Sequence, residues 1–469
     1  MTSQNQKLKK SFLKLKASKN AGLIVTLAAT LISCVNVELD PVVDYVVMEF
    51  DTTADPARVP EPNVIMINQE TGLIDFSIGG LDIPEDCADG VELGLPMAQC
   101  EFYQYLEGLD GFPTLSPAKA PASSPLDMST VSLADTLAVI EDTPSKWGDE
   151  KVLTEYDEEE NYLKVTPLAG WNVGKTYLVA VRGYDNGVVG AEGERVISSQ
   201  AYFLLKEEES LMCDASTPSA IPDDCKYLEL LATGTTEESA REQLVSLEAL
   251  RQGFLEAGVW DTLDVLGDMQ KDEVAVVWAF PTHSGSVAEL NPAAGMVPLI
   301  DEVSFDNILI PVKGTVDASS VQAFHPVANP QGGVYLIDLT ELMEGNDAGA
   351  FPLMTVSYDP SGEGMSLNTQ TQLVEGHTYL FILSDRLKNE TGESFVASPT
   401  TVFLRSHGEL VNAEGVSQVS SLDDDSAGQL EEGRVMLKEL LDNEDFQNTT
   451  RLYDREKIVY LYAMTLQGP

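Results

Sequence analysis

The stretch "GKTYLVAV", Gly174–Val181, returns almost unchanged as "GHTYLFIL", Gly376–Leu383, 202 residues later. Each copy begins with a glycine and a threonine at a turn and runs into apolar, partly β-branched residues, which reads as a strand entered from a turn. Matching segments flank each copy in the same order. "PLDMSTVSL" (Pro125–Leu133) is answered by "TVDASSVQAF" (Thr315–Phe324), with Asp127, Ser129 and Val131 against Asp317, Ser319 and Val321 at an offset of 190. "AYFLL" (Ala201–Leu205) is answered by "TVFLR" (Thr401–Arg405), offset 200. Short, turn-bounded segments of this composition read as further strands.

The likeness continues past the strands. "LEALR" (Leu247–Arg251) and "LEEGR" (Leu430–Arg434) stand 183 residues apart. Thr235 and Glu238 have capping-box spacing, and Ala240, Leu244, Leu247 and Phe254 recur at helical spacing, predicting a helix with one buried face. Each helical stretch then meets a strand, "VAVVWAFPTHS" from Val274 and "IVYLYAMTLQG" from Ile458, with Trp278 aligned to Tyr462 as packing aromatics. The chain is therefore read as a duplication. The "G-x-T-Y" turns, the alternating strands after them and later turns such as "LKNETGE" resemble the bacterial Ig-like domains of surface proteins. The expected fold class is mainly β with α segments: two Ig-like β-sandwich units, each followed by a helical hairpin and a strand. In domains this gives a signal over 1–33, a head over 34–122, Ig-like units over 123–206 and 307–406, helical segments with their strands over 207–285 and 407–469, and a linker over 286–306.

At the amino terminus six lysines from Lys7 to Lys19, with no acid among them, precede "AGLIVTLAATLIS" and Cys34. Ala21 to Ser33 would reach about 20 Å as a helix, short of the roughly 30 Å hydrocarbon core, so the segment reads as an export signal and not a span. "LISC", Leu31–Cys34, resembles the lipobox of bacterial lipoproteins. That resemblance implies cleavage before Cys34 and acylation of it, which anchors the chain through its lipid. Val35 and Asn36 follow, without the aspartate that resembles an inner-membrane retention signal, so the expected location is the outer membrane, exposed at the surface.

The full chain carries 28 basic and 76 acidic residues, a net charge of −48; removing residues 1–33 takes away six positive charges and leaves −54. Such a surface repels polyphosphate, which excludes nucleic acid as a partner. The acidity leaves calcium open as a cofactor without a located site. "DDDSAGQLEEGR", Asp423–Arg434, has Asp423, Asp425 and Gly428 at EF-hand spacing, but Ala427 and Arg434 stand where a ligand and the closing glutamate belong. No other cofactor and no metal ligand set is expected. With Cys34 assigned to lipid, the other four cysteines fall into two close pairs, Cys87 with Cys100 and Cys213 with Cys225. An exported protein would oxidise these to local disulfides, and their spacing does not fit zinc.

The head holds "PEPNVIMINQETGLIDFSI" from Pro60 and "LDGFPTLSP" from Leu109. Pro62-Asn63, the Thr71-Gly72 turn and the Leu109–Phe112 box, followed by Ig-like and helical segments, resemble the amino-terminal region of bacterial virulence-factor lipases. Those are surface lipoproteins acting on lysophospholipids. In that family the catalytic portion is a carboxy-terminal α/β-hydrolase domain with "G-x-S-x-G", and this chain lacks that elbow: "GMSLN" (Gly364–Asn368) has no second glycine, and "THSGS" (Thr282–Ser286) has no first. His283, His325, His377 and His407 are scattered, with no acid at a diagnostic spacing. "YDEEENY", Tyr156–Tyr162, reads as a solvated loop. The sequence thus supports a lipid-anchored surface protein with no catalytic residues, its partners being the membrane and a surface ligand or partner hydrolase. The alternative is the front portion of an extracellular lipase or lysophospholipase whose hydrolase domain lies elsewhere.

Overall fold

The computed structural model describes residues 45–50, 58–79, 81–92, 94–143, 145–231, 237–288, 308–346, 349–359 and 364–465. Cys34, the export signal, Thr235 of the expected capping box and most of the expected linker lie outside these. The described residues are mainly β, in antiparallel sheets with helices, and divide into two compact units.

The first unit comprises the described residues of 45–82, 109–171 and 175–282. Its strands are β1 (Tyr45–Met48), β2 (Ala118–Pro121), β3 (Leu137–Glu141), β4 (Ser145–Lys146), β5 (Val152–Asp157), β6 (Tyr162–Pro167), β7 (Thr176–Arg182), β8 (Arg195–Ser198) and β9 (Val274–Pro281). They form a sheet in the order β2-β6-β5, a sheet β4-β3-β7-β9 and a parallel pair β1-β8. β6 alternates between buried and half-buried residues, the period of a strand with one covered face. β3 is buried throughout and β9 is buried except at Pro281, so both read as unbroken apolar runs.

The second unit comprises residues 83–108, 172–174 and the described residues of 283–469. Its strands are β10 (Val287–Ala288), β11 (Ile308–Lys313), β12 (Val334–Asp338), β13 (Met354–Asp359), β14 (Gly364–Thr369), β15 (Thr378–Ser384) and β16 (Ile458–Thr465). They pair as β10-β11-β14-β13 and β12-β15-β16. One apolar cluster takes Ile310, Val312, Met365 and Leu367 from the first of these sheets and Leu336, Tyr379, Phe381 and Tyr460 from the second, so the two sheets enclose a common core. The pairing β5-β6 recurs as β13-β14, and β3-β7-β9 recurs as β12-β15-β16.

Four segments expected as strands are something else. Ala201–Leu205 belongs to a helix, Gln200–Leu205, and Thr401–Arg405 to a helix, Pro399–Arg405. Ser199 and Ser398 cap them by accepting from Tyr202 N and Thr401 N, and Pro399 sits at the first turn, where its missing N–H costs nothing. Asp127 and Asp317 are not in strands either. Each carboxylate accepts from the serine two residues on, through Ser129 N and Oγ at 3.0 and 2.7 Å and Ser319 N and Oγ at 2.9 and 2.7 Å, closing a tight turn. Both turns dock alike: Asp127 N donates to Val189 O, and Asp317 N to Lys388 O, each at 2.9 Å.

The two "LExxR" signatures are buried ion pairs. On the helix Glu237–Ala257, Arg251 bonds Glu248 through Nε and Nη2, both at 2.8 Å, while Glu248 also accepts Leu211 N at 2.9 Å. On the helix Asp424–Leu441, Arg434 bonds Glu431 at 2.7 and 2.6 Å, and Glu431 accepts Leu410 N at 2.9 Å. Burial pushes both carboxyls up, but these donors outweigh it and hold each below its ordinary value. Each pair thus fastens the loop that leaves the preceding capped helix.

The head region is shared out. Residues 83–108 form two short helices, Cys87–Glu92 and Met97–Glu107, joined by the Cys87–Cys100 disulfide inside the second unit. Phe102 packs on Phe403 with ring centroids 4.8 Å apart, and the Tyr105 hydroxyl donates to Ala397 O at 2.7 Å. The Cys213–Cys225 disulfide closes a loop in the first unit, over a cluster with Leu204, Ile221, Tyr227 and Leu244.

Candidate functional site

The repeated "G-x-T-Y" turns carry the first gathering of titratable groups. Gly174 and Gly376 both have positive φ, 64° and 80°, which explains why glycine stands there twice. The residue after each is a base held by an acid: Lys175 Nζ lies 3.4 Å from Asp142, and His377 Nδ1 lies 2.8 Å from Asp338. The hydrogen bond that Asp338 accepts from the imidazole raises the His377 pKa against a smaller opposing effect of burial. The tyrosines after the threonines are buried. Tyr177 donates to Glu141 at 3.2 Å, and Glu141 also accepts from Trp147 Nε1 and Thr143 Oγ1. Tyr379 bonds Asp338, and its hydroxyl accepts Val374 N at 2.8 Å; burial pushes its pKa up to about 12. In both copies the hydroxyl is anchored to a carboxylate at the end of the neighbouring strand, a structural use of the motif.

A second gathering exists only in the first unit's copy. Tyr184 is a bulky residue at φ 60°, a costly left-handed conformation that needs strong support from its surroundings. Lys206, 8 % exposed, donates to the Tyr184 hydroxyl at 3.2 Å and lies 4.8 Å from its ring centroid. That hydroxyl donates to Ser198 Oγ at 3.0 Å, and Ser198 donates to Val274 O at 3.1 Å. Burial pushes the Lys206 ammonium pKa down. For Tyr184 burial acts upward, yet Ser198 and Lys206 outweigh it and leave the phenol below its ordinary value. The donors run one way and end on a backbone carbonyl, so the chain of bonds pins the Gly183–Gly187 turn to the start of β9. In the second unit Arg386 stands opposite Tyr184 at an offset of 202, and the capping serines Ser199 and Ser398 set the two helices at an offset of 199, one less than the 200 read from the sequence, which puts Arg405 opposite Lys206. Arg405 bonds Arg455 O and Ile458 O, and Arg386 bonds Gly332 O and the Tyr335 hydroxyl, so two arginines that cap carbonyls replace the lysine–tyrosine–serine relay.

A third gathering lies on Glu101, which accepts Ser406 Oγ at 2.5 Å and contacts His407 Nδ1 at 2.9 Å. Serine and histidine share the acid here instead of bonding each other, which is not the order of a nucleophile, base and orienting acid. His325 Nδ1 accepts Val327 N and Ala328 N within a turn. His283 is buried, and Ser284 is exposed beside it. Ser366 lies on β14, paired with Leu309 and Ser357. Asp423 caps the helix that follows it by accepting Ser426 N at 2.7 Å, so the aspartate run is a helix start, with Ala427 and Arg434 buried. Among the described residues no group of three metal-ligating side chains is found, and no helix is long and apolar enough to cross a membrane.

The head motifs likewise serve the backbone. Asn63 caps a 3-10 turn, Gly72 closes the Asn68 turn at φ 75°, Leu109 O accepts Ile74 N, and Phe112 N donates to Pro281 O. No protein-family model matches the chain, and no curated protein matches it. Sequence reasoning missed the Tyr184, Ser198 and Lys206 relay. Its signal was available as a difference: two copies that agree at the turns and disagree at 184 and 206.

Proposed function

We propose that the chain is a lipid-anchored protein of the bacterial outer membrane, exposed at the surface, whose two Ig-like units serve as a binding or spacer module without a catalytic centre. The observation that carries this reading is the use made of the repeated polar residues. Asp127 and Asp317, Tyr177 and Tyr379, Glu248 and Glu431 each hold a loop or a strand end, so what duplication preserved is a frame. A frame supports function through its loops and edges. The resemblance of the head motifs to virulence-factor lipases supports the alternative, a front portion that positions a hydrolase domain near lysophospholipid.

Attachment is assigned to Cys34 alone. Two or three acyl chains at roughly 0.8 kcal/mol per buried methylene give lasting attachment where one gives a reversible hold. Cys34→Ser is expected to move the protein from the membrane fraction to the soluble fraction, as read by immunoblot after cell fractionation. Retention of the variant at the parent's level would refute the anchor.

A further inference from the structure

Among the described residues β5 ends its sheet, pairing with β6 on one side only. Leu168 N donates to Lys151 O at 2.9 Å, which sets the phase of the ladder: residues 153, 155 and 157 bond β6, and Val152, Thr154 and Tyr156 turn their N–H and C=O groups outward. Among the described residues no backbone bond or bridge meets that outer edge. The second unit repeats the arrangement 202 residues on. Gln370 N donates to Leu353 O at 2.7 Å, and β13 is again the terminal strand, with Met354, Val356 and Tyr358 in the outward phase. Exposed edges usually carry a proline, an inward charge, a bulge or a lysine that blocks pairing. "VLTEYD" and "MTVSYD" have no proline, lysine or glycine, and both edges run six residues in continuous register.

The two edges differ in charge. The exposed side of β5 presents Leu153, 46 % exposed, and Glu155, and its hairpin tip adds the exposed Glu158, Glu159 and Glu160. The exposed side of β13 presents Thr355 and Ser357, with Asp359 at its end. A second copy of this chain is a poor occupant of β5, because antiparallel self-pairing sets its glutamates against their own likes. An extended segment with cations at alternate positions gains both the ladder and the field.

We propose that the outer edge of β5 accepts an extended lysine- or arginine-bearing segment of a partner protein as an added strand. This rests on the binding-module reading and names the chemistry of the partner. The edge supplies main-chain hydrogen bonds, Leu153 an apolar contact, and Glu155 the preference for a cation.

The test is fluorescence anisotropy of the purified chain with a labelled synthetic peptide that alternates lysine with valine or threonine. Three controls accompany it: the glutamate-for-lysine peptide, the lysine peptide N-methylated at alternate amides, and the protein variants Thr154→Pro, Glu155→Lys and Val356→Pro. Saturable binding is expected for the lysine peptide and not for its glutamate counterpart. Thr154→Pro, Glu155→Lys and amide methylation should each weaken it by about tenfold or more, and Val356→Pro should leave it within about twofold. Methylation acts on the peptide, so a misfolded variant cannot produce that result. Binding that survives methylation and Thr154→Pro would mean charge attraction alone and would overturn the proposal. Self-association abolished by Thr154→Pro would identify a second copy as the occupant and overturn it too. Absence of peptide binding sinks strand addition while leaving the module reading intact; that reading fails separately, by ester turnover.

Discussion

Arg434→Met is expected to destabilise the second unit by about 3–5 kcal/mol, because it removes one partner of a buried ion pair and leaves the other behind. The Arg434 side chain is 4 % exposed and that of Glu431 15 %. After the substitution Glu431 keeps only the Leu410 N–H, and Ser406 O loses the contact it has with Arg434 Nη1. Denaturant unfolding followed by circular dichroism would read the loss as a lower midpoint at unchanged slope. The pH dependence has a defined sign. In the parent, Glu431 and Glu248 titrate below their ordinary 4.5, so each contributes stability that is present above pH 4.5 and is lost as pH falls through the folded value. In the variant a protonated Glu431 no longer places an uncompensated charge in the interior. The deficit of Arg434→Met against the parent should therefore shrink between about pH 7 and about pH 4.

Opening the Cys213–Cys225 bridge with the double substitution Cys213→Ser, Cys225→Ser is the other large expected effect. The bridge spans a sequence separation of 12, for which the chain-entropy account gives about 3 kcal/mol. Cys225 is also part of the buried cluster with Leu211, Leu228 and Ala240, so its hydroxyl replacement adds a polar atom to an apolar site. Thermal unfolding should show the loss first in the unit that carries the bridge. An unchanged transition would mean that the apolar cluster alone orders residues 206–231.

The duplication was legible because a turn that demands glycine and a buried ion pair both leave fixed letters in fixed places. Glycine takes the positive φ of Gly174 and Gly376 at the least cost, and Glu248 with Arg251 must lie one helical turn apart, as Glu431 and Arg434 do. The short helices at 200–205 and 399–405 were misread for a physical reason. A short, largely apolar segment suits either a strand or a buried turn of helix, and the deciding letters, Ser199, Ser398 and Pro399, stand just before the segments that were read. The splitting of the head could not be seen either. Nothing in "CADGVELGLPMAQCEFYQYLEGLDG" says that Phe102 will meet Phe403, since the contact joins residues far apart in the chain. The relay at Tyr184 was hidden because its cost is a backbone angle, and its supporting lysine looks like any other in the sequence.

The central claim, a frame that displays and does not turn over substrate, is tested most directly by assaying purified residues 35–469 on a short-chain ester and on a lysophospholipid, with calcium added. Acyl transfer needs a nucleophile, a base and oxyanion donors held in one site. The account predicts turnover no greater than the buffer blank for both substrates. Turnover above the blank that disappears in Ser366→Ala or Ser284→Ala would contradict it and make the chain itself a lipase.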